Sequence, residues 1–124
     1  MASDPYREKI LDHYGQPRNE GTLEDPDISK EADNPVCGDV LRLDIELENG
    51  EVSKARFSGQ GCVISIAAAS MFTEMIHGKS ITELEALDDD DVLEMLGVEL
   101  GSSRITCGLL PLRVLQQALS ERRA

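Results

Sequence analysis

A chain of 124 residues has the length of one domain, here 1–124, and can bury roughly two thirds of its unfolded surface around a single core, so size alone does not demand a metal for folding. Its 24 acidic residues against 12 basic ones give a formal charge of −12, which argues against a phosphate-binding surface and so against DNA or RNA as a partner. No run approaches the ~18 apolar residues of a membrane helix, and Met1-Ala2-Ser3-Asp4-Pro5 lacks the basic and apolar regions of a signal peptide, so a cytoplasmic protein without membrane contact is expected.

With two Phe, two Tyr and no Trp, the core must be built from Leu, Ile, Val and Ala. The acids are spread along the whole chain, as on a solvated surface adapted to high salt. Three cysteines are an odd number, which speaks against a secreted disulfide framework and for ligand or nucleophile roles. A lone cysteine is usually a small buried apolar residue, but each of these three sits beside glycine or a charged residue.

Pro5 to Tyr14 reads as a helix, with Ser3 or Asp4 as cap, Pro5 in its first turn and Gly15 just past its end. Tyr6, Ile10 and Tyr14 fall four apart and form one stripe. His13, near the helix end, reads as a partner of the helix dipole rather than a metal ligand. Residues 16 to 36 hold three of the five prolines and predict a long loop, with room for one short strand from Ile28 to Ala32. Val40 to Leu47 alternates apolar and polar positions, the period of a strand with one buried face. Asn49-Gly50 then signals a hairpin, and Val52 to Ser58 supplies the returning strand, with less regular apolar positions.

Gly59-Gln60-Gly61 reads as a glycine-flanked turn into a helix that runs to about His77, with Gly78 as its stop. The glycines lack the spacing and the lysine of a phosphate-binding P-loop. His77 at the end of this helix reads as structural. Ser80 and Glu83 form a capping-box pattern that opens a short helix to Leu87. Asp88 to Asp91 opens another, and this acidic run lacks the spaced oxygens and glycine of a calcium loop. Gly97 to Ser103 reads as a linker, and a last helix from near Ser103 to about Leu119 carries Cys107 in its first turns, with Pro111 early in it.

Chemistry concentrates at Asn34-Pro35-Val36-Cys37-Gly38-Asp39, where a thiol and a carboxylate stand two residues apart in a turn shaped by proline and glycine. A soft thiolate beside a hard carboxylate suits a borderline ion such as Zn²⁺ or iron, with the oxygen the more easily exchanged ligand. The hairpin brings its two ends together, so Cys62 lies near Cys37 and Asp39 although 25 residues separate the two cysteines. Cys62 also stands near a helix N-terminus, where partial positive charge favours a thiolate. Cys107 would complete a Cys₃Asp set if the last helix packs across the hairpin mouth, which spacing alone does not decide. Arg104, one helical turn before Cys107, is placed either to steady a thiolate or persulfide anion or to pair with a surface acid.

The sequence resembles the U-type iron–sulfur cluster assembly scaffolds, which comprise IscU, the N-terminal part of NifU, and SufU. The resemblance rests on Tyr6 to Gly21 (YREKILDHYGQPRNEG), Asn34 to Asp39 (NPVCGD), Gly59 to Ser70 (GQGCVISIAAAS) and Arg104 to Cys107, and covers nearly the whole chain. It implies an α+β fold, a small three-stranded antiparallel sheet with about five helices packed on it in a single domain. It further implies a site at one end of the sheet, with Cys37, Asp39, Cys62 and Cys107 as ligands of Zn²⁺ or of a transient 2Fe–2S cluster. The expected function is a non-enzymatic scaffold that passes its cluster to apo-protein acceptors and draws sulfur from a cysteine desulfurase of the SufS or IscS type. The alternative is a zinc-dependent sulfurtransferase in which Cys37 accepts persulfide sulfur and Arg104 steadies the anion; a third reading is an interaction domain with structural zinc. Thr106 stands where IscU has histidine, and Leu100-Gly101-Ser102-Ser103-Arg104 replaces the Leu-Pro-Pro-Val-Lys motif of its chaperone contact. The Arg104 position resembles SufU, whereas the 45 residues from Cys62 to Cys107 match IscU and lack the usual SufU insertion.

Overall fold

The computed structural model describes residues 5–34, 38–97, 100 and 102–123. Its elements are α1 (Pro5–Gly15), β1 (Ile28–Asn34), β2 (Asp39–Glu48), β3 (Glu51–Gln60), α2 (Val63–Ile76), α3 (Ile81–Glu85), α4 (Asp89–Leu96) and α5 (Ser102–Arg123). The strands form one antiparallel sheet in the order β1-β2-β3. The α+β class, with three strands and five helices among the described residues, therefore stands as the resemblance implied.

Alternation in β2 buries Leu41, Leu43 and Ile45 on one face, on which α5 packs, while α2 packs on β3. The hairpin turn is Asn49-Gly50, both at positive φ, 56° and 79°, which is the conformation that favours this dipeptide. The irregular pattern of β3 has a specific cause. Val52 pairs with Leu47 and Lys54 with Glu46, so Ser53 is an extra residue, a bulge that returns Ala55 and Phe57 to the core face already used by Val52. β3 is an edge strand, and other segments cover it: Phe57 exchanges backbone hydrogen bonds with Asn19 and Gly21, and Val52 with Gly78 and Lys79.

Two local signals act as expected at α3 and α4. Ser80 with Glu83, and Asp88 with Asp91, each form a reciprocal capping box, so the acidic run is consumed in starting a helix. Gly97 ends α4 in the left-handed conformation, φ 68°.

Several expectations are corrected. Gly15 is the last residue of α1, and Gly59 and Gln60 belong to β3, pairing with Leu41 and Val40, so the turn after the strand is shorter than expected. Pro111 lies in the middle of the 22-residue α5. A mid-helix proline costs about 3 kcal/mol because it cannot donate to the carbonyl four residues back, here Cys107. That cost is offset by the apolar face around it, where Leu109, Leu110, Leu112, Val114 and Leu115 are all buried. The α1 stripe is also split: Ile10 is buried and Tyr14 exposed, while the side chain of Tyr6 lies outside the described residues. His13 is not a dipole partner. It is buried, its Nδ1 2.7 Å from Ser70 Oγ on α2 and its Nε2 3.5 Å from Glu74, and burial, assisted by the Arg18 charge, lowers its pKa. A neutral imidazole thus ties α1 to α2.

On the sheet face opposite the core, Asp44 is buried under the loop before β1 and accepts from Ser29 Oγ (2.6 Å), Arg42 Nε (2.9 Å) and the Leu23 amide (3.0 Å). Burial alone would raise its pKa, but the bonds from Arg42, Ser29 and Leu23 prevail and hold it below 3.8. A depressed carboxylate contributes stability that is present above its unfolded pKa and is lost as pH falls through its folded value. Asp44→Asn is expected to cost on the order of 1.5–3 kcal/mol at neutral pH and to flatten stability against pH below about 4. Urea midpoints across that range test this, and parallel pH curves for the two proteins would refute it.

Candidate metal centre

The alternation that buries Leu41, Leu43 and Ile45 places Asp39, at the start of β2, on the same face, only 6 % exposed. The carboxylate thus points under the sheet toward α2 rather than into a surface turn. β3 ends opposite, Gln60 paired with Val40, so the chain reaches Cys62 two residues after leaving the ladder. Two glycines make this approach feasible. Gly59, at φ 150°, brings its Cα so close to β2 that a Cβ would overlap the Val40 carbonyl. A Cβ on Gly61 would lie 2.9 Å from Ser65 Cβ and 3.1 Å from Asp39 Cγ.

Cys62 is the N-cap of α2 in extended conformation, and its side chain makes no cap hydrogen bond. Its sulfur is half-buried, 3.6 Å from Ser65 Oγ. Cys107 is buried on α5, which packs against α2, β1 and β2. The neighbouring Gly108 lies against α4 and the residues after it, where a Cβ would meet Leu96 Cδ1 at 2.9 Å and Leu100 Cδ1 at 3.2 Å. The last helix does therefore cross the hairpin mouth: one ligand atom each from Asp39, Cys62 and Cys107 lie within 4.8 Å of one another. Cys37 lies outside the described residues; Asn34 and Gly38 on either side of it are joined by a 2.7 Å backbone hydrogen bond.

The donor set fits a metal. Bonds of about 2.0–2.3 Å to zinc separate tetrahedral ligands by about 3.3–3.8 Å, and the three groups already lie within 4.8 Å of one another. Two thiols and one carboxylate around a half-open position suit zinc or iron better than a hard cation. The other singled-out residues stand apart. His77 is exposed at the C-cap of α2, the end of the helix opposite Cys62, and His13 is engaged with Ser70. Arg104 and Thr106 are exposed on the first turns of α5, and Arg104 has no carboxylate partner among the described residues.

Sequence reasoning passed over Ser65. Its hydroxyl donates to Asp39 Oδ2 and is buried to 2 % exposure between that carboxylate and the Cys62 sulfur. The only local signal was its position three residues after Cys62, which puts both on one side of the first turn of α2.

Fold and site together define a small α+β protein in which two thiols and a carboxylate that could hold a metal ion meet at the end of an antiparallel sheet. A sequence profile of the NifU-like N-terminal domain matches residues 5–124, and the chain belongs to that family. It is 37% identical over 133 aligned positions to the "Zinc-dependent sulfurtransferase SufU" of Bacillus subtilis, covering 94% of this chain and 90% of that protein. It is also 37% identical over 120 positions to the "Iron-sulfur cluster assembly scaffold protein IscU" of Escherichia coli K12, covering 94% and 92%. Among solved structures, a candidate iron–sulfur cluster assembly scaffold protein for the SUF system of Fervidobacterium islandicum AW-1 superposes with a TM-score of 0.76 at 26% identity, covering 90% of this chain and 94% of that one. The alignment with SufU is longer than this 124-residue chain, so SufU carries residues that have no counterpart here. Among the described residues no helix is long and apolar enough to cross a membrane.

Proposed function

We propose that the protein is an iron–sulfur cluster assembly scaffold, on which a 2Fe–2S cluster is built and from which it passes to acceptor proteins, with Cys37, Asp39, Cys62 and Cys107 as the ligands. The observation that carries this reading is the meeting of Asp39, Cys62 and Cys107, from three separate elements, within 4.8 Å. Thiolates supply the affinity for iron, and the carboxylate supplies a position that an incoming thiol displaces more easily. The half-buried Cys62 leaves one side of the centre open to an acceptor. Zinc is the expected occupant on isolation. The partners are a cysteine desulfurase as sulfur source and apo-proteins as acceptors, in the cytoplasm.

Anaerobic reconstitution with iron and sulfide, followed by transfer to an apo-ferredoxin, tests the scaffold reading. Visible absorption with one cluster per chain or per pair of chains, and its loss to the acceptor, are the expected results. A folded, metal-free protein that gains no visible absorption would end it.

A second reading, zinc-dependent sulfur transfer, is favoured by the likeness to SufU and by Arg104, one turn before Cys107. In it the Cys37 thiolate attacks the outer sulfur of a desulfurase persulfide, forming a new S–S bond as the desulfurase thiolate leaves, and Arg104 steadies the resulting anion. The short span from Cys62 to Cys107 and the residues that SufU has in excess weigh toward the scaffold. Desulfurase stimulation that needs zinc and is lost in Cys37→Ala would reverse that order. A structural zinc alone would instead be marked by loss of fold on chelation without either chemistry.

A further inference from the structure

We propose that Ser65 is a positioning residue for the Asp39 ligand: by donating its hydroxyl hydrogen to Oδ2, it limits the carboxylate to one metal-bound oxygen. The proposal rests on the reading of Asp39 as a ligand. Three observations carry it. The Ser65 hydroxyl donates to Asp39 Oδ2 in a site where both residues are buried, 2 % and 6 % exposed. Its oxygen is also 3.6 Å from the Cys62 sulfur, so it stands between two of the metal-binding groups rather than beside one. Finally, Gly61 has no side chain where one would press on both partners, 2.9 Å from Ser65 Cβ and 3.1 Å from Asp39 Cγ, so the local chain is built to let these two meet.

The physical consequence follows from having one hydroxyl hydrogen and two carboxylate oxygens. With Oδ2 held by Ser65, a metal would meet the carboxylate through Oδ1, and a two-oxygen grip would give up a buried hydrogen bond. Partners of this kind orient a ligand and fix its bonding mode, and their loss typically weakens metal binding by about 10–100-fold. The same bond gives the carboxylate a partner when an acceptor displaces it, so a buried charge is not stranded at that moment. Ser65 thereby makes Asp39 both well aimed and easy to release.

Chelator competition for zinc, together with visible spectra of the Co²⁺-loaded protein, tests this on wild type, Ser65→Ala, Asp39→Ala and the double variant. Ser65→Ala should bind zinc about tenfold more weakly, and its Co²⁺ bands should lose intensity as the carboxylate adds a second oxygen to a four-coordinate ion. In the Asp39→Ala background the same substitution should change neither readout. Wild-type affinity and bands in Ser65→Ala overturn the proposal, and so does an equal loss with and without Asp39, which would make Ser65 a packing residue. If wild type itself binds neither ion, the reading of the centre fails before any substitution is made, and the role of Ser65 falls with it.

Discussion

Asp39→Ala is expected to keep its metal yet pass a cluster to an apo-acceptor about tenfold more slowly than wild type. Thiolates hold zinc in small sites with apparent free energies of about 10–16 kcal/mol, so losing one oxygen weakens binding without emptying the centre at micromolar protein. Transfer suffers more, because the weakest bond is the one an acceptor thiol breaks first. Without it the acceptor must displace a thiolate, a softer and tighter ligand for iron. The competing account is that Asp39 merely caps the turn after Cys37, as short acids often do. Its placement on the core-facing row of β2, bonded to Ser65, weighs against that account. Asp39→Asn separates them. A ligand role predicts slowed transfer in both variants, whereas a turn cap predicts an asparagine that behaves like aspartate. Unchanged cluster lifetime and transfer in both would remove Asp39 from the centre.

The largest structural effect is expected at Gly59. Its φ of 150° lies in a region L side chains rarely adopt, and a Cβ there would overlap the Val40 carbonyl and lie 3.0 Å from Leu41 Cα. These are backbone atoms of the β2–β3 ladder, one pair in from its open end, where Leu41 pairs with Gly59, so no side chain can turn aside to make room. Gly59→Ala should therefore destabilise the fold by more than about 3 kcal/mol, combining backbone strain with a broken ladder. The damage falls at the site end of the hairpin, so metal binding should be lost along with stability. Urea unfolding and metal content measured on one preparation check both. A Gly59→Ala protein with wild-type midpoint and full zinc would show that the two strands have slack there.

Features that depend on neighbouring residues were legible without the fold. The alternation of Val40 to Leu47, the Asn49-Gly50 turn and the capping boxes at Ser80 and Asp88 are interactions within a few positions, and each appears where the chain order puts it. The bulge at Ser53 left a trace only as irregular spacing, because a two-residue period cannot say which residue is extra until the partner strand sets the register. Its local cost alone places Pro111 early in the last helix, where a missing donor matters least. It sits mid-helix because α5 gains more from burial against the sheet and α2 than one missing hydrogen bond costs.

The same division holds at the candidate metal centre. Residue order alone determined that Asp39 and Cys62 would be neighbours, since a hairpin must return its ends to one place, and the motifs around the cysteines pointed to the family. Tertiary structure alone decided that Cys107 joins them, because the packing angle of a 22-residue helix on a sheet is a sum of many small contacts. It also decided that His13 would be a buried tie to Ser70 and not a charged helix end. Ser65 met Asp39 for the same reason: a hydrogen bond between residues 26 positions apart exists only after strand register and helix docking have both been set.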